Sequence, residues 1–374
     1  MLDKTKIKSI LVIKMRNIGD VLLTSPLFAN LRLHFPEARI CALVNSGTGE
    51  MLTDNPDIDH IHIYDRSVKK ESWIKRVNTE FRLLAGIRKE HFDLVINLTE
   101  GDRGAVAALL SGARIRLGVN SLNRGFRGKD KIYTTLLPQP PIEMHAVDQN
   151  LRFLSALGLK AVHKRVSFKF PESVKRDILS RLETSGLEPK KFYHAHVTSR
   201  WMFKTMPPAK MAFLLDTLSE RTGLKAVLEA APIPKELDYL HSVLSFCRYP
   251  HVTWEGDVSL KELGALSSLA QFHVGIDSAP MHIAAALDVH VLGIFGPLPV
   301  SNWGPWDNSQ NTNPYQLPRG IQTTGRHMVL QSSLPCVPCH RDGCNGSKKS
   351  DCLDFSFEEL DHVITTFIQI LKNE

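Results

Sequence analysis

The chain has 374 residues, of which 43% are hydrophobic, 23% charged and 7% aromatic, with a formal net charge of +7 at pH 7. That length suits about two domains with substantial cores, and the composition excludes disordered, collagen-like and disulfide-dense classes. No apolar run approaches the roughly 18 residues of a membrane span.

The opening segment is basic, but Lys14 and Arg16 interrupt the apolar stretch that follows, so no signal peptide is expected. The expected location is cytoplasmic, with the six cysteines as thiols. Charge divides unevenly along the chain. Residues 1–170 carry 27 Lys and Arg against 17 Asp and Glu, whereas residues 171–374 carry 19 against 22. The basic half points to an anionic partner or to a merely solvated surface.

Taken in chain order, Ser9–Met15 reads as a first strand, followed by a turn at Asn17-Ile18-Gly19 and a helix to about His34. Further strands are expected at Arg39–Val44, His60–Tyr64, Asp93–Leu98 and Arg116–Val119. A long basic helix is expected over Ser67–Lys89 and another over Met144–Leu157. The second series has strands at Phe192–Val197, Lys225–Glu229, Phe272–Ile276 and His290–Phe295. Its helices are expected at Pro208–Thr222, Lys235–Phe246, Leu260–Ala270 and Met281–Leu287. Trp303 to Cys352 reads as loop, and Phe357–Leu371 as a final helix. Two βα series of similar length predict an α/β fold of two Rossmann-like domains facing across a cleft.

Three segments place polar groups at expected strand ends, where open α/β sheets bind ligands. Asp20 follows the first strand and Gly19, and fits either catalysis or a helix cap. Asp277, Ser278 and His282 lie at a strand-to-helix junction suited to a phosphate or pyrophosphate, or to a simple cap. Thr198, Ser199 and Lys204 form a third phosphate-type constellation. Asp57-Ile58-Asp59 sits in an obvious turn and is read as no metal site. In His194-Ala195-His196, strand alternation is taken to turn the rings to opposite faces, so no shared ion is expected. Cys336, Cys339, Cys344 and Cys352 could close a structural zinc site or remain free thiols.

Together, Arg16-x-x-Gly19-Asp20, the Lys204 loop and Asp277-Ser278-x3-His282 resemble the lipopolysaccharide core heptosyltransferases of glycosyltransferase family 9. The wording Gly-Ile-Asp-Ser-Ala-Pro-Met-His is most like the heptosyltransferase III branch. The resemblance implies a GT-B fold: an acceptor domain over residues 1–168, a nucleotide-sugar domain over 169–354 and a C-terminal helix over 355–374 crossing back. It implies an inverting transfer from ADP-heptose to the phosphorylated inner core of lipopolysaccharide, with no cofactor and no metal.

By the same resemblance Asp20 is the general base and Lys204 serves the donor phosphates. Thr198, Ser199, Glu229, Asp277, Ser278 and His282 line the donor site. The acceptor, on the cytoplasmic face of an anionic inner membrane, would meet Arg66, Lys69, Lys70, Lys75, Arg76, Arg124, Arg127 and Lys129. The alternatives are a GT-B transferase using another sugar nucleotide in cell-surface glycan synthesis, or a non-catalytic nucleotide-sugar-binding protein. Nucleic acid is disfavoured, because the basic residues are not interleaved with aromatics and no reader motif is present.

Overall fold

A computed structural model describes residues 3–256 and 258–372, apart from the side chains of Lys69, Lys70 and Arg76. The chain divides into two compact units, Met1–Lys169 and Phe170–Glu374.

The first unit comprises β1 (Ser9–Lys14), α1 (Ile18–Leu22), α2 (Ser25–His34), β2 (Arg39–Asn45), β3 (His60–Tyr64) and α3 (Trp73–Lys89). It continues through β4 (Leu94–Asn97), α4 (Asp102–Leu110), β5 (Ile115–Val119), β6 (Thr135–Leu137) and α5 (Ala146–Ala156). All six strands are parallel in the order β3-β2-β1-β4-β5-β6. The central strands read as near-continuous apolar runs, Ile10 to Ile13 and Leu94 to Ile96, because helices cover both faces of a parallel sheet.

The expected helix from Asn17 to His34 is two helices. Pro26, at the second position of α2, has no N–H to continue α1, and Thr24 begins a new start. The expected helix over Ser67–Lys89 is also broken. A 3₁₀ turn at Arg66–Lys70 ends at Glu71 and Ser72, both extended, before α3 begins.

The second unit comprises α6 (Glu172–Thr184), β7 (Phe192–His196), α7 (Pro208–Thr222), β8 (Lys225–Ala230), α8 (Pro234–Phe246), β9 (Val252–Glu255) and α9 (Leu260–Leu269). It continues through β10 (Phe272–Ile276), α10 (Ala279–Ala286), β11 (His290–Phe295), α11 (Val300–Trp303), β12 (Gln322–Thr323), β13 (His327–Gln331) and α12 (Phe357–Lys372). Its sheet runs β12-β13-β11-β10-β7-β8-β9, parallel except for the β12–β13 pair. The segment read as loop thus contributes β13, paired with β11.

Helix α12 buries Leu360, Val363, Ile364 and Phe367 against β7, β10 and α7, and the Phe367 ring meets Phe272 edge-on at 5.5 Å. The closing helix is therefore part of the core of the second unit. Each unit is thus a Rossmann-like α/β domain built on its own, mainly parallel, sheet.

Candidate functional site

Each sheet reverses its strand order once, and at that point adjacent loops leave in opposite directions and open a crevice. In the first unit the reversal lies between β1 and β4, and in the second between β7 and β10. The segments singled out in the sequence fall beside these two places.

In the second unit, the loop after β7 carries Thr198, Ser199 and Lys204, while Asp277 and Ser278 follow β10. The Lys204 ammonium donates to the Asp277 carboxylate at 2.7 Å and to its carbonyl at 3.1 Å, tying the two loops together. Their side chains are only 16% and 8% exposed, so this is a largely buried ion pair rather than a solvated contact. Ser278 is the N-cap residue of α10, in extended conformation, and its hydroxyl donates to the Ile276 carbonyl at 3.0 Å. Pro280 occupies the first turn, where its missing N–H costs nothing. His282 is buried one turn into the same helix. The small residues Ala284, Ala285 and Ala286 let α10 lie close on the sheet. Thr198 donates to Glu236 at 3.0 Å, and the Ser199 hydroxyl accepts from the Trp201 backbone N–H at 3.0 Å.

Glu229, at the end of β8, is buried. Its Oε1 meets His196 Nδ1 in a short hydrogen bond and His194 Nε2 at 3.4 Å. The two rings therefore share a face of β7. The expectation of opposite faces fails because the side-chain period of a strand is two, so residues two apart point the same way. His194 also meets Ser267 at 2.8 Å and His273 of β10 at 3.2 Å. Burial pulls His194 and His273 down, His273 well below the ordinary histidine value. Burial also opposes charge on His196 and on Glu229, but each outweighs that effect for the other. His196 is raised and Glu229 is held below the usual carboxylate range.

In the first unit, a cavity of about 680 Å³ opens where β1 and β4 part. Met15, Arg16 and Asn17 line one side, Thr99, Gly101, Asp102, Arg103 and Gly104 another, and Glu80, Leu83 and Leu84 of α3 a third. Tyr64 and Arg103 both donate to Glu80 Oε1, at 3.0 and 3.1 Å, and the Arg103 guanidinium lies 4.8 Å from the Tyr64 ring centre. Asp20 is the third residue of α1, half-buried, and accepts the Asn17 backbone N–H at 3.3 Å. It is not itself in the cavity wall, although Asn17 is. Beneath it Lys14 donates to Asn150 at 3.2 Å. Burial lowers the Lys14 ammonium and the charge of Asp20 partly restores it.

Of the basic residues expected to meet an acceptor, Arg66 lines the cavity. Arg124 and Arg127 are exposed on the loop after β5 and do not. Lys69 and Lys70, like Arg76, lie outside the described side chains. Lys129 is buried and bonded to Asp102 at 3.2 Å and to the Glu100 carbonyl at 2.8 Å, so it is a structural tie rather than an acceptor contact. Sequence reading missed Arg103, Glu80 and Lys14. A lysine ending an otherwise apolar strand was the available signal for Lys14.

Asp59 accepts from Arg32 at 2.7 Å and from the Ile40 backbone at 2.6 Å, so the Asp57-Ile58-Asp59 segment is engaged in the fold. Among the described residues, the triads with ligand atoms within 4.8 Å are Cys41–His62–Glu90 and Asp216–Cys247–His251. Cysteines 336, 339, 344 and 352 form no disulfide. Burial and the proximity of the other three raise the Cys352 thiol to about 12.

A crevice with a buried lysine–aspartate pair at a helix start, and a second crevice lined by arginines, is an arrangement that can be compared with known proteins. The family model for glycosyltransferase family 9 (heptosyltransferase) matches residues 80–324. Lipopolysaccharide heptosyltransferase 3 of Escherichia coli is 31% identical over 296 residues, 79% of this chain and 85% of that protein. The crystal structure of a glycosyl transferase family 9 protein from Veillonella parvula superposes with a TM-score of 0.77 at 21% identity, covering 100% of this chain and 99% of that one. The Escherichia coli heptosyltransferase WaaC with ADP gives 0.69 at 16% identity, covering 97% and 99%. The chain belongs to glycosyltransferase family 9, the heptosyltransferases.

Proposed function

We propose that this enzyme is a heptosyltransferase III-like transferase that moves L-glycero-D-manno-heptose from ADP-heptose to the phosphorylated inner core of lipopolysaccharide, with inversion. The observation that carries this reading is the Lys204–Asp277 pair, which closes the switch point of the second sheet beside the start of α10. A donor diphosphate placed there would take over the Lys204 ammonium from the aspartate. It would also meet the positive end of α10, so leaving-group charge is stabilised without a metal.

The second unit acts as the donor domain, with Thr198, Ser199, Asp277, Ser278 and His282 around the nucleotide. Glu229 supports the same strand ends through His194 and His196. The first unit acts as the acceptor domain, with the cavity beside Asn17 holding the sugar and Arg16, Arg66 and Arg103 offering bidentate donors to its acidic groups. Asp20 takes the proton of the attacking hydroxyl as the new oxygen–anomeric carbon bond forms and the bond to the diphosphate breaks, releasing ADP. Such an acceptor is membrane-linked, so the enzyme works as a peripheral protein at the cytoplasmic leaflet. The test is donor turnover by the purified protein with its acceptor. ADP-heptose should be consumed and UDP-hexoses left intact, and turnover of a UDP-hexose with ADP-heptose untouched would replace this reading by that of another sugar-nucleotide transferase.

A further inference from the structure

Helix α3 is anchored by its second half and bare on its first. Ile87 is buried, and Leu83 and Leu84 pack beside it on the core of the first unit. One turn and more earlier, Trp73, Ile74, Val77 and Phe81 are 72%, 58%, 57% and 69% exposed. The spacing 73, 77, 81, with Ile74 alongside, puts all four on one continuous stripe of the helix surface. Isolated exposed apolar residues need no explanation, but four large ones in a row, one of them a tryptophan, form a patch of the kind that marks an interaction surface.

The flank of that stripe is basic. Lys75, Arg82 and Lys89 recur every seven residues, about a quarter-turn or more from the stripe, and all three are exposed. Glu71 offsets only Lys75, at 3.0 Å, and Glu80 is turned towards Tyr64 and Arg103 in the cavity wall. Among the described residues no helix is long and apolar enough to cross a membrane. A 17-residue helix with an apolar stripe, a tryptophan near one end and a cationic flank is the pattern of a helix that lies in a lipid interface.

We infer that α3 docks the first unit on an anionic lipid surface, inserting Trp73, Ile74, Val77 and Phe81 among the headgroups while Arg82 and Lys89 meet the lipid phosphates. The same helix supplies Glu80, Leu83 and Leu84 to the cavity, so docking carries the mouth of that cavity to headgroup depth. The docking stands on the helix alone; its purpose, presenting the cavity to a lipid-linked saccharide, rests on the function proposed above.

The test is co-sedimentation of the full chain with vesicles of phosphatidylcholine, with and without phosphatidylglycerol. The wild type should bind the anionic vesicles at least about tenfold better than the neutral ones. Trp73→Ser/Phe81→Ser should lose about tenfold or more of that binding, and Arg82→Gln/Lys89→Gln should lose the preference for phosphatidylglycerol. Both variants should keep the wild-type melting temperature, since these side chains leave the core untouched, and the wild-type rate on a soluble acceptor stripped of acyl chains. Equal binding to both vesicle types, or variants that sediment as the wild type does, would overturn the inference. So would a stripe variant that changes oligomeric state in solution, because a second copy would then be the occupant. Vesicle binding is read without donor and the soluble-acceptor assay without vesicles, so failure of the docking and failure of the transferase reading are told apart.

Discussion

Lys204 is more than a loop lysine. It is only 16% exposed and is bonded to a carboxylate that is 8% exposed. Removing one member of such a pair leaves a buried charge unpaired, which typically costs several kcal/mol. Lys204→Met should therefore lower the stability of the second unit by about 2–4 kcal/mol and reduce kcat/KM for the donor by about 30- to 1000-fold. The double variant Lys204→Met/Asp277→Asn separates the two effects. Calorimetric melting should recover much of the lost stability while donor kcat/KM stays low. If donor use recovered together with the melting temperature, Lys204 would be a structural residue only.

At the scale of elements, most strands were legible because β-branched runs such as Ser9–Lys14 and His290–Phe295 are bounded by turn residues, and buried parallel strands need continuous apolar sequence. The donor-side motifs were legible for a related reason: Asp277-Ser278 and the Lys204 loop directly follow such runs. What brings Lys204 to Asp277, 73 residues away, is that β7 lies beside β10, and strand order is a tertiary property. Helix α4 was missed because Asp102–Leu110 is short, contains Gly104 and has no broad apolar stripe, and with it went Arg103 and one wall of the cavity. The His194–His196–Glu229 cluster was misread by a one-residue error in strand period.

That cluster makes its own prediction. Glu229→Gln removes the charge that raises His196, so the His196 titration midpoint followed by NMR should fall, and the melting temperature should fall with it. ADP affinity should change less than about tenfold, because the carboxylate is engaged by the two histidines beneath the site. Loss of ADP affinity with unchanged melting would instead make Glu229 a direct nucleoside ligand.

For the whole molecule, buried histidines set the response to acid. Burial pushes His327 down to about 4, with Asp307 offsetting part of the effect, and burial likewise lowers His194 and His273. The unfolded chain takes up these protons near pH 6.5 while the native state resists, so stability falls as pH drops through that value. For His327 the window runs from about pH 6.5 to 4, amounting to on the order of 3 kcal/mol. His196, raised by Glu229, acts in the opposite sense, adding stability below about pH 6.5 that is lost as pH rises through its native value. Burial lowers His62 and His251 as well, and these five lowered histidines against one raised predict a net loss of stability on acidification from about pH 7.5 to 5, which a series of thermal melts would show. His327→Gln should flatten that slope, and an unchanged slope would remove His327 from the account.

The central claim divides the reaction between two sheets: a base after β1 that serves the acceptor, and a phosphate grip between β7 and β10 that holds the donor. Asp20→Asn tests it most directly. Asparagine can still accept the Asn17 N–H that Asp20 now takes, so the start of α1 is preserved, but it cannot accept a proton from an attacking hydroxyl. Donor binding by calorimetry and transfer by product assay are to be measured on one preparation of this variant. The prediction is ADP-heptose affinity within a factor of about two to three of wild type with kcat lowered by roughly 10²–10⁴. Transfer at the wild-type rate would leave Asp20 a helix cap and the acceptor domain without its base.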